Sequence, residues 1–166
     1  ETDILEAVSG RLLQDVMMHS CRKVVEDVPF LKHLPDDMLV RIVATLRSEI
    51  FLPNEVIVKM FVPSTGDCMY FIVTGTVAVY SAGGHELCHL QDGAHFGEVA
   101  VVGGPRKRTA TVVALRPCEL LRLDATEFAK AVARHPELLE GILRLANLIQ
   151  SPAVQRGKYA KVEGGI

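Results

Sequence analysis

The feature that most constrains the fold is a change of sequence pattern near residue 50. After it, four segments are rich in the β-branched and aromatic residues that favour strands: EVIVKMF, CMYFIVTGTVAVYS, HELCHLQDG and RTATVVALRPCELLRL. Turn residues separate these segments at 53–54, 64–67, 75, 83–84 and 92–93. Short strands divided by turns at such intervals predict a sandwich, jelly roll or barrel of about eight strands.

Helical periodicity precedes the strand region. Residues 3–25 place apolar residues at helical spacing, which predicts helices that either pack on the core or connect to another module. Residues 34–51 predict one further helix, because Pro35 suits its first turn and Asp36 and Asp37 suit the positive end of its dipole. The residues of this helix that we expect to face the core are Met38, Ile42, Val43 and Leu46.

Helical periodicity returns after the strands. Asp124 and Glu127 match a capping box, Pro136 divides the segment into two helices, and Ser151-Pro152 ends the second. We expect the tail that follows, residues 151–166, to be mobile. The predicted fold class is therefore α+β: N-terminal helices, an eight-stranded antiparallel β-roll of jelly-roll type that contains a short helix, and C-terminal helices.

The composition is typical of one soluble globular domain. Of the 166 residues, 49% are hydrophobic and 23% are charged, and the net charge is −2, which argues against nucleic-acid binding through bulk charge. The cysteines Cys21, Cys68, Cys88 and Cys118 form no C-x-x-C pair, which predicts reduced thiols. We expect no signal peptide within these residues and no direct membrane insertion of this segment.

Residues 95–112, HFGEVAVVGGPRKRTATV, combine the groups that a sugar phosphate needs. Residues 99–102 predict a short helix, and the N–H groups at its start attract a phosphate. Gly97 lets the backbone approach a ligand closely, and an arginine of the basic cluster 106–108 can bind the same phosphate in a bidentate manner. Glu98 repels a phosphate but suits a neutral donor such as a ribose 2′-OH.

On these residues, FGEVAVVGGPRKRTATV resembles the phosphate-binding cassette of cyclic-nucleotide-binding domains, above all those of hyperpolarisation-activated and cyclic-nucleotide-gated channels. In that cassette F-G-E, a few apolar residues, a variable loop and R-T-A follow one another. The resemblance extends to CRKVVEDVPFL, LRSEIFLPNEVIV and MYFIVTGTVAVYS. It implies that residues 1–25 are the end of the C-linker helices, that residues 26–150 are the cyclic-nucleotide-binding domain with C-terminal lid helices, and that residues 151–166 are the tail.

The resemblance also implies a set of ligand-binding residues. Glu98 would accept a hydrogen bond from the ribose 2′-OH. Arg108 would pair with the cyclic phosphate, and the Thr-Ala that follows it favours Arg108 over Arg106. Phe96 would close the pocket from the side. The remaining implied contacts are Gly97, Val99, Ala100, Thr109 and Ala110 at the ribose or phosphate, and Val79, Cys88 and Leu90 at the purine.

What the resemblance implies about function is a cytoplasmic sensor of cAMP or cGMP, with no metal, in a plasma-membrane cation channel. Closure of the lid and movement of the C-linker would regulate gating, and neighbouring subunits would meet through the C-linker in a tetramer. We expect neither enzyme activity nor a nucleic-acid partner. A kinase regulatory subunit or a transcription factor could share the domain, but the C-linker-like residues 3–25 favour a channel.

Three alternatives remain open at the level of the sequence. The last helix lacks the basic residue that caps the purine in pacemaker channels and has Ile149 there, so the domain could be a non-binding pseudo-sensor for assembly or trafficking. Glu98 and Arg108 could simply form a structural salt bridge with each other. A metal-dependent enzyme on a β-roll is the third, with candidate ligands His85, His89, His95 and Glu98.

Overall fold

The computed structural model describes residues 31–60, 67–102 and 110–138, together with the single positions 19, 21, 22, 25, 28, 108, 140, 141 and 144. The helices with defined bounds are α1 (Asp36–Thr45), α2 (Glu98–Val102) and α3 (Ala125–Val132). The strands are β1 (Arg47–Phe51), β2 (Val56–Val58), β3 (Cys68–Thr74), β4 (Thr76–Tyr80), β5 (Glu86–Gln91), β6 (His95–Phe96), β7 (Thr111–Ala114) and β8 (Cys118–Asp124).

The eight strands form two four-stranded sheets with the orders β1-β8-β3-β6 and β2-β7-β4-β5. Every strand pair is antiparallel. Some strands that pair are consecutive in sequence, such as β4 and β5, and others are far apart, such as β1 and β8. The chain therefore passes between the two sheets, as in a β-roll. The predicted α+β class and eight-stranded antiparallel roll are confirmed.

The first sheet separates two apolar cores, because successive side chains of a strand point to opposite faces. In β3, Met69 and Phe71 pack against the helices, in a cluster that we call the outer core. Cys68, Tyr70 and Ile72 face the second sheet, in a cluster that we call the inner core. Burial of both faces explains why β3 reads as a continuous apolar run instead of an alternating one.

The helix predicted over residues 34–51 is shorter than expected. It begins at Asp36, with Pro35 at the N-cap, and ends at Thr45, after which Leu46 takes an extended backbone with φ −62° and ψ 138°. Residues 47–51 form β1, which pairs with β8 along its whole length. Long-range pairing therefore outweighs local helical periodicity here. Met38, Ile42 and Val43 are buried as predicted, and Leu46 is partly buried.

The start of α3 was predicted correctly, but the prediction of a capping box there is wrong. Asp124 is the N-cap, yet its side chain makes no capping hydrogen bond. Arg122 Nε instead donates to Asp124 Oδ1 at 2.8 Å, and the first N–H of the helix, from Ala125, donates to the carbonyl oxygen of Asp67 at 2.8 Å. The helix ends at Val132 and helical backbone resumes at Pro136, which confirms the predicted division there.

Several predictions fall on residues that the structure does not describe. The C-linker helices lie outside the described residues except for positions 19, 21, 22 and 25, which are helical. The tail 151–166, Ile149 and the loop 103–107 also lie outside them, as does Thr109. All four cysteines are described; they are buried and form no disulfide, as predicted.

Candidate ligand-binding site

The site begins where β6 passes into α2. Phe96 ends β6 opposite Tyr70 of β3, and Glu98 begins α2, so Gly97 alone joins the two elements. Gly97 has a φ of +85°, which L side chains rarely adopt. A Cβ at this position would lie 2.9 Å from the carbonyl oxygen of Cys68 and 3.0 Å from Arg108 Nη1. Glycine is therefore required both by the backbone and by the close approach of the arginine.

Arg108 is the buried cation of the site. Its side chain reaches back to the start of β3, where Nη1 donates to the carbonyl oxygen of Cys68 at 2.8 Å and Nη2 donates to Cys68 Sγ at 3.3 Å. Its Nε is buried and has no hydrogen-bond partner among the residues that the structure describes. An unpartnered buried donor costs about 1–3 kcal/mol, and more when it belongs to a charged group.

Glu98 and Arg108 are the buried charged side chains of the described residues, with exposed fractions of 6% and 8%. The salt bridge considered as an alternative does not form: across the described residues, Arg108 makes its hydrogen bonds with Cys68 and no ion pair joins it to Glu98.

A cavity opens beside Arg108 between the two sheets. Its empty volume is about 360 Å³, part of which is open to solvent. The residues around it are Val58, Val79, Phe96, Gly97, Arg108, Ala110 and Val112. A wall that is mainly apolar with one convergent cation is typical of a small-ligand site.

Five of the predicted contacts meet at this cavity: Val79, Phe96, Gly97, Arg108 and Ala110. The sequence interpretation missed Val58 and Val112, whose signal was their place on strands β2 and β7, where alternate residues point inward.

The other predicted contacts that the structure describes do not line the cavity. Cys88 and Leu90 of β5 pair with Val79 and Val77 and belong to the inner core or pack against it. Glu98, Val99 and Ala100 form the first turns of α2.

An aromatic stack lies next to the cavity, because Phe96 belongs to both. The ring of Phe96 stacks on Tyr70 with centroids 5.4 Å apart, and Tyr70 meets the edge of Phe51 at 6.2 Å. Tyr70 Oη contacts Glu49 Oε2 at 3.4 Å. Burial raises the pKa of Tyr70, and the neighbouring Cys68 and Glu49 raise it further, so the phenol stays protonated and neutral beneath the cavity. The sequence interpretation assigned Tyr70 no role.

Arg122 ties this aromatic layer to the start of α3. Its Nη1 lies 3.5 Å from Glu49 Oε1, and its Nε donates to Asp124 at 2.8 Å. Burial lowers the pKa of Arg122, but the hydrogen bond to Asp124 and the neighbouring acidic groups outweigh this effect and raise it overall. Arg122 is therefore a permanent cation of the framework.

The histidines considered as metal ligands lie apart. His89 is on β5 and contacts Glu86 Oε1 through Nε2 at 2.7 Å, whereas His95 is on β6, in the other sheet. His85 lies in the turn before β5. They do not share one strand face. Within residues 31–60, 67–102 and 110–138 and the single described positions, no group of three or more His, Cys, Asp or Glu side chains could hold a metal ion.

Comparison with known proteins identifies a family for this arrangement. The model of the cyclic nucleotide-binding domain family matches residues 48–135, which include both sheets except Arg47, together with α2 and Arg108. None of the helices that the structure describes is long and apolar enough to cross a membrane.

Curated relatives come from channels. The chain is 31% identical over 136 residues to the potassium/sodium hyperpolarization-activated cyclic nucleotide-gated channel 2 of Mus musculus, covering 82% of this chain and 15% of the relative. It is 32% identical over 136 residues to channel 4 of Oryctolagus cuniculus, covering 82% and 11%, and 31% identical to channel 3 of Homo sapiens, covering 82% and 17%. The chain therefore spans less than a fifth of the length of these relatives.

Proposed function

Because the chain belongs to the family of cyclic nucleotide-binding domains, we propose that it binds cAMP or cGMP in the cavity beside Arg108. The observation that carries the proposal is the buried guanidinium of Arg108, whose Nε has no partner and whose Nη1 would touch any side chain at position 97. A cyclic phosphate supplies an anionic acceptor of the right kind for this donor. The net cost of burying the cation falls when the ligand neutralises it.

The roles that we propose for the other residues follow from their places around Arg108. Glu98 accepts a hydrogen bond from the ribose 2′-OH, and the backbone N–H groups of Gly97 and Val99 donate to the ribose or phosphate. Ala100 contacts the same groups, while its own N–H donates to the carbonyl oxygen of Gly97 at 3.1 Å. Phe96 closes the side of the pocket, held by its stack on Tyr70. The remaining proposed contacts are Thr109 and Ala110 at the phosphate, and Val79, Cys88 and Leu90 at the purine.

We further propose that binding biases the C-terminal helices. Two consecutive residues support this: the carbonyl oxygen of Cys68 accepts from Arg108, and that of Asp67 accepts from Ala125 at the start of α3. A ligand that moves the arginine therefore acts on a peptide unit next to the one that anchors the helix. Nucleotide binding shifts the equilibrium between open and closed lids by its difference in affinity for the two.

The setting that we propose is the cytoplasmic face of a plasma-membrane cation channel, supported by the similarity to three hyperpolarization-activated channels. In it, residues 1–25 are the end of the C-linker, residues 26–150 the sensor and residues 151–166 a mobile tail. The C-linker transmits lid closure to the pore and joins the subunits of a tetramer.

Titration calorimetry of the protein with cAMP and with cGMP tests the binding proposal. We expect one site per chain, and we expect Arg108→Glu to abolish binding, because it replaces the phosphate partner with a like charge. Arg116→Glu is the matched control: it makes the same charge change at an exposed turn and leaves the affinity unchanged. Wild-type affinity in a folded Arg108→Glu variant would refute the assignment of the phosphate contact.

The alternative is a pseudo-sensor that serves channel assembly or trafficking. It is favoured by one departure from the channel pattern, the apolar Ile149 where pacemaker channels have a basic residue over the purine. If millimolar cAMP and cGMP produce neither heat nor a shift in melting temperature, the pseudo-sensor is the better account.

A further inference from the structure

Cys68 contacts the guanidinium of Arg108 twice. Its carbonyl oxygen accepts from Nη1 at 2.8 Å and its Sγ accepts from Nη2 at 3.3 Å. Both contacts use the end of the guanidinium, the edge formed by its two terminal nitrogens. A guanidinium has a second edge suited to a two-point contact, formed by Nε and the other hydrogen of Nη2.

The edge formed by Nε and Nη2, which we call the side edge, remains available to a ligand. Within the described part of the chain Nε is buried without a partner, and Nη2 carries two hydrogens, of which one is donated to the thiol. Arg108 lies in the wall of the cavity, whereas Cys68 is 2% exposed and does not. An anion in the cavity can therefore bind Arg108 through Nε and Nη2, because Cys68 already occupies the end formed by Nη1 and Nη2.

We propose that Cys68 is a positioning residue of this site, holding Arg108 by its end so that a cyclic phosphate binds side-on through Nε and Nη2. The inference rests on the proposed function. It differs from the assignment of Arg108 itself, because it concerns a thiol that is 40 residues away in sequence and does not touch the ligand.

The thiol has a distinct part in this geometry. A single hydrogen bond to the carbonyl leaves the guanidinium free to rotate about that contact, whereas a second anchor on Nη2 fixes its plane. Fixing the plane before the ligand arrives lowers the ordering cost of binding. Gly97 completes the arrangement, since only a residue without a Cβ leaves room for Nη1 at this position.

The test compares two buried cysteines of the inner core. Cys68→Ala removes the side-chain anchor and Cys68→Ser replaces it with another acceptor. Cys118→Ala is the matched control, because Cys118 is equally buried in the same core but hydrogen-bonds to Thr76 and Arg116. In calorimetric titrations with cAMP and cGMP, we expect Cys68→Ala to weaken binding about tenfold, Cys68→Ser to stay within about threefold of wild type, and Cys118→Ala to bind as wild type.

A spectroscopic signature tests the side-on contact in the unaltered protein. The Nε–H resonance of Arg108, assigned by its loss in Arg108→Lys, should shift when either nucleotide is added, since phosphate binding gives that hydrogen its first acceptor. This measurement needs no cysteine variant to fold.

The outcomes separate the two proposals. If the wild-type protein binds neither nucleotide, the proposed function fails and this inference fails with it. If the wild-type protein binds but Cys68→Ala binds equally well, or if Cys68→Ser loses as much as Cys68→Ala, only the positioning role is overturned. Nucleotide binding that leaves the Nε–H resonance unmoved overturns the side-on geometry.

Discussion

The two faces of the sheet formed by β1, β8, β3 and β6 bury different kinds of side chain. The outer face contributes Met69, Phe71, Leu121 and Leu123 to an apolar core that also holds residues of α1 and α3. The inner face, from the same strands, contributes Cys68, Tyr70 and Arg122, which hold the arginine, the aromatic stack and an ion-pair network. One set of strands therefore builds the fold on one side and positions the candidate site on the other.

The comparison teaches that stability and binding can be separated within single strands. Neighbouring residues of β3 alternate between the two cores, so a change at one position should affect folding and a change at the next should affect the site.

The largest expected effect is on the outer face. Phe71 is fully buried in the outer core, and Phe71→Ala should lower the free energy of unfolding by about 3–5 kcal/mol, because it removes a ring and leaves a cavity. Urea denaturation measures the loss, and nucleotide titration of the folded variant should give wild-type affinity. Val40→Ala, at a 44% exposed apolar residue of α1, should change neither. Equal damage to affinity and to stability would show that the faces are not separable.

A middle-sized effect is expected at Gly97. Gly97→Ala should destabilise the protein by about 1–3 kcal/mol and weaken nucleotide binding at least tenfold, because the new Cβ strains the backbone and crowds both Cys68 and Arg108. Gly84→Ala provides a matched control, since Gly84 also has a positive φ, +76°, but has nothing within 4 Å of an added Cβ. Thermal denaturation and calorimetry should show strain alone in Gly84→Ala, with affinity retained; equal affinity in both variants would contradict the crowding argument.

The smallest effect is expected from the hydroxyl of Tyr70 and depends on pH. Its pKa is raised by burial, so the folded protein holds the phenolic proton more tightly than the unfolded chain, and stability falls as pH rises above the ordinary tyrosine value of about 10. Tyr70→Phe should cost about 1 kcal/mol or less at neutral pH and should reduce that alkaline loss. Melting temperatures between about pH 7 and about pH 11 measure both.

Tyr80→Phe is the matched control for this pH experiment. It removes a hydroxyl that lies at the same 3.4 Å from a carboxylate, Glu86, but in an exposed setting. Identical pH dependence in the two variants would contradict the role of burial at Tyr70.

Local pattern predicted the strands, their turns and the short helix α2. The run of β-branched and aromatic residues in residues 68–80, interrupted only at Gly75, became β3 and β4 without further information. Gly97, Glu98 and the basic cluster 106–108 suit a sugar phosphate by residue type, whereas the choice of Arg108 and the role of Phe96 come from the resemblance to the cyclic-nucleotide cassette.

Contacts between distant segments determined the rest. Residues 47–51 became a strand because β8, about 70 residues later, offers a complete antiparallel partner. Asp124 begins α3 but does not cap it with its side chain, because Arg122, two residues earlier on β8, takes its carboxylate. Arg108 is held by Cys68, a residue with no local signal of function, and the cavity depends on Val58 and Val112 from strands that meet only in the folded protein. Sequence periodicity shows which residues are apolar and how they alternate. Burial and backbone pairing between distant segments decide which segments meet, and these interactions exist only once the chain has folded.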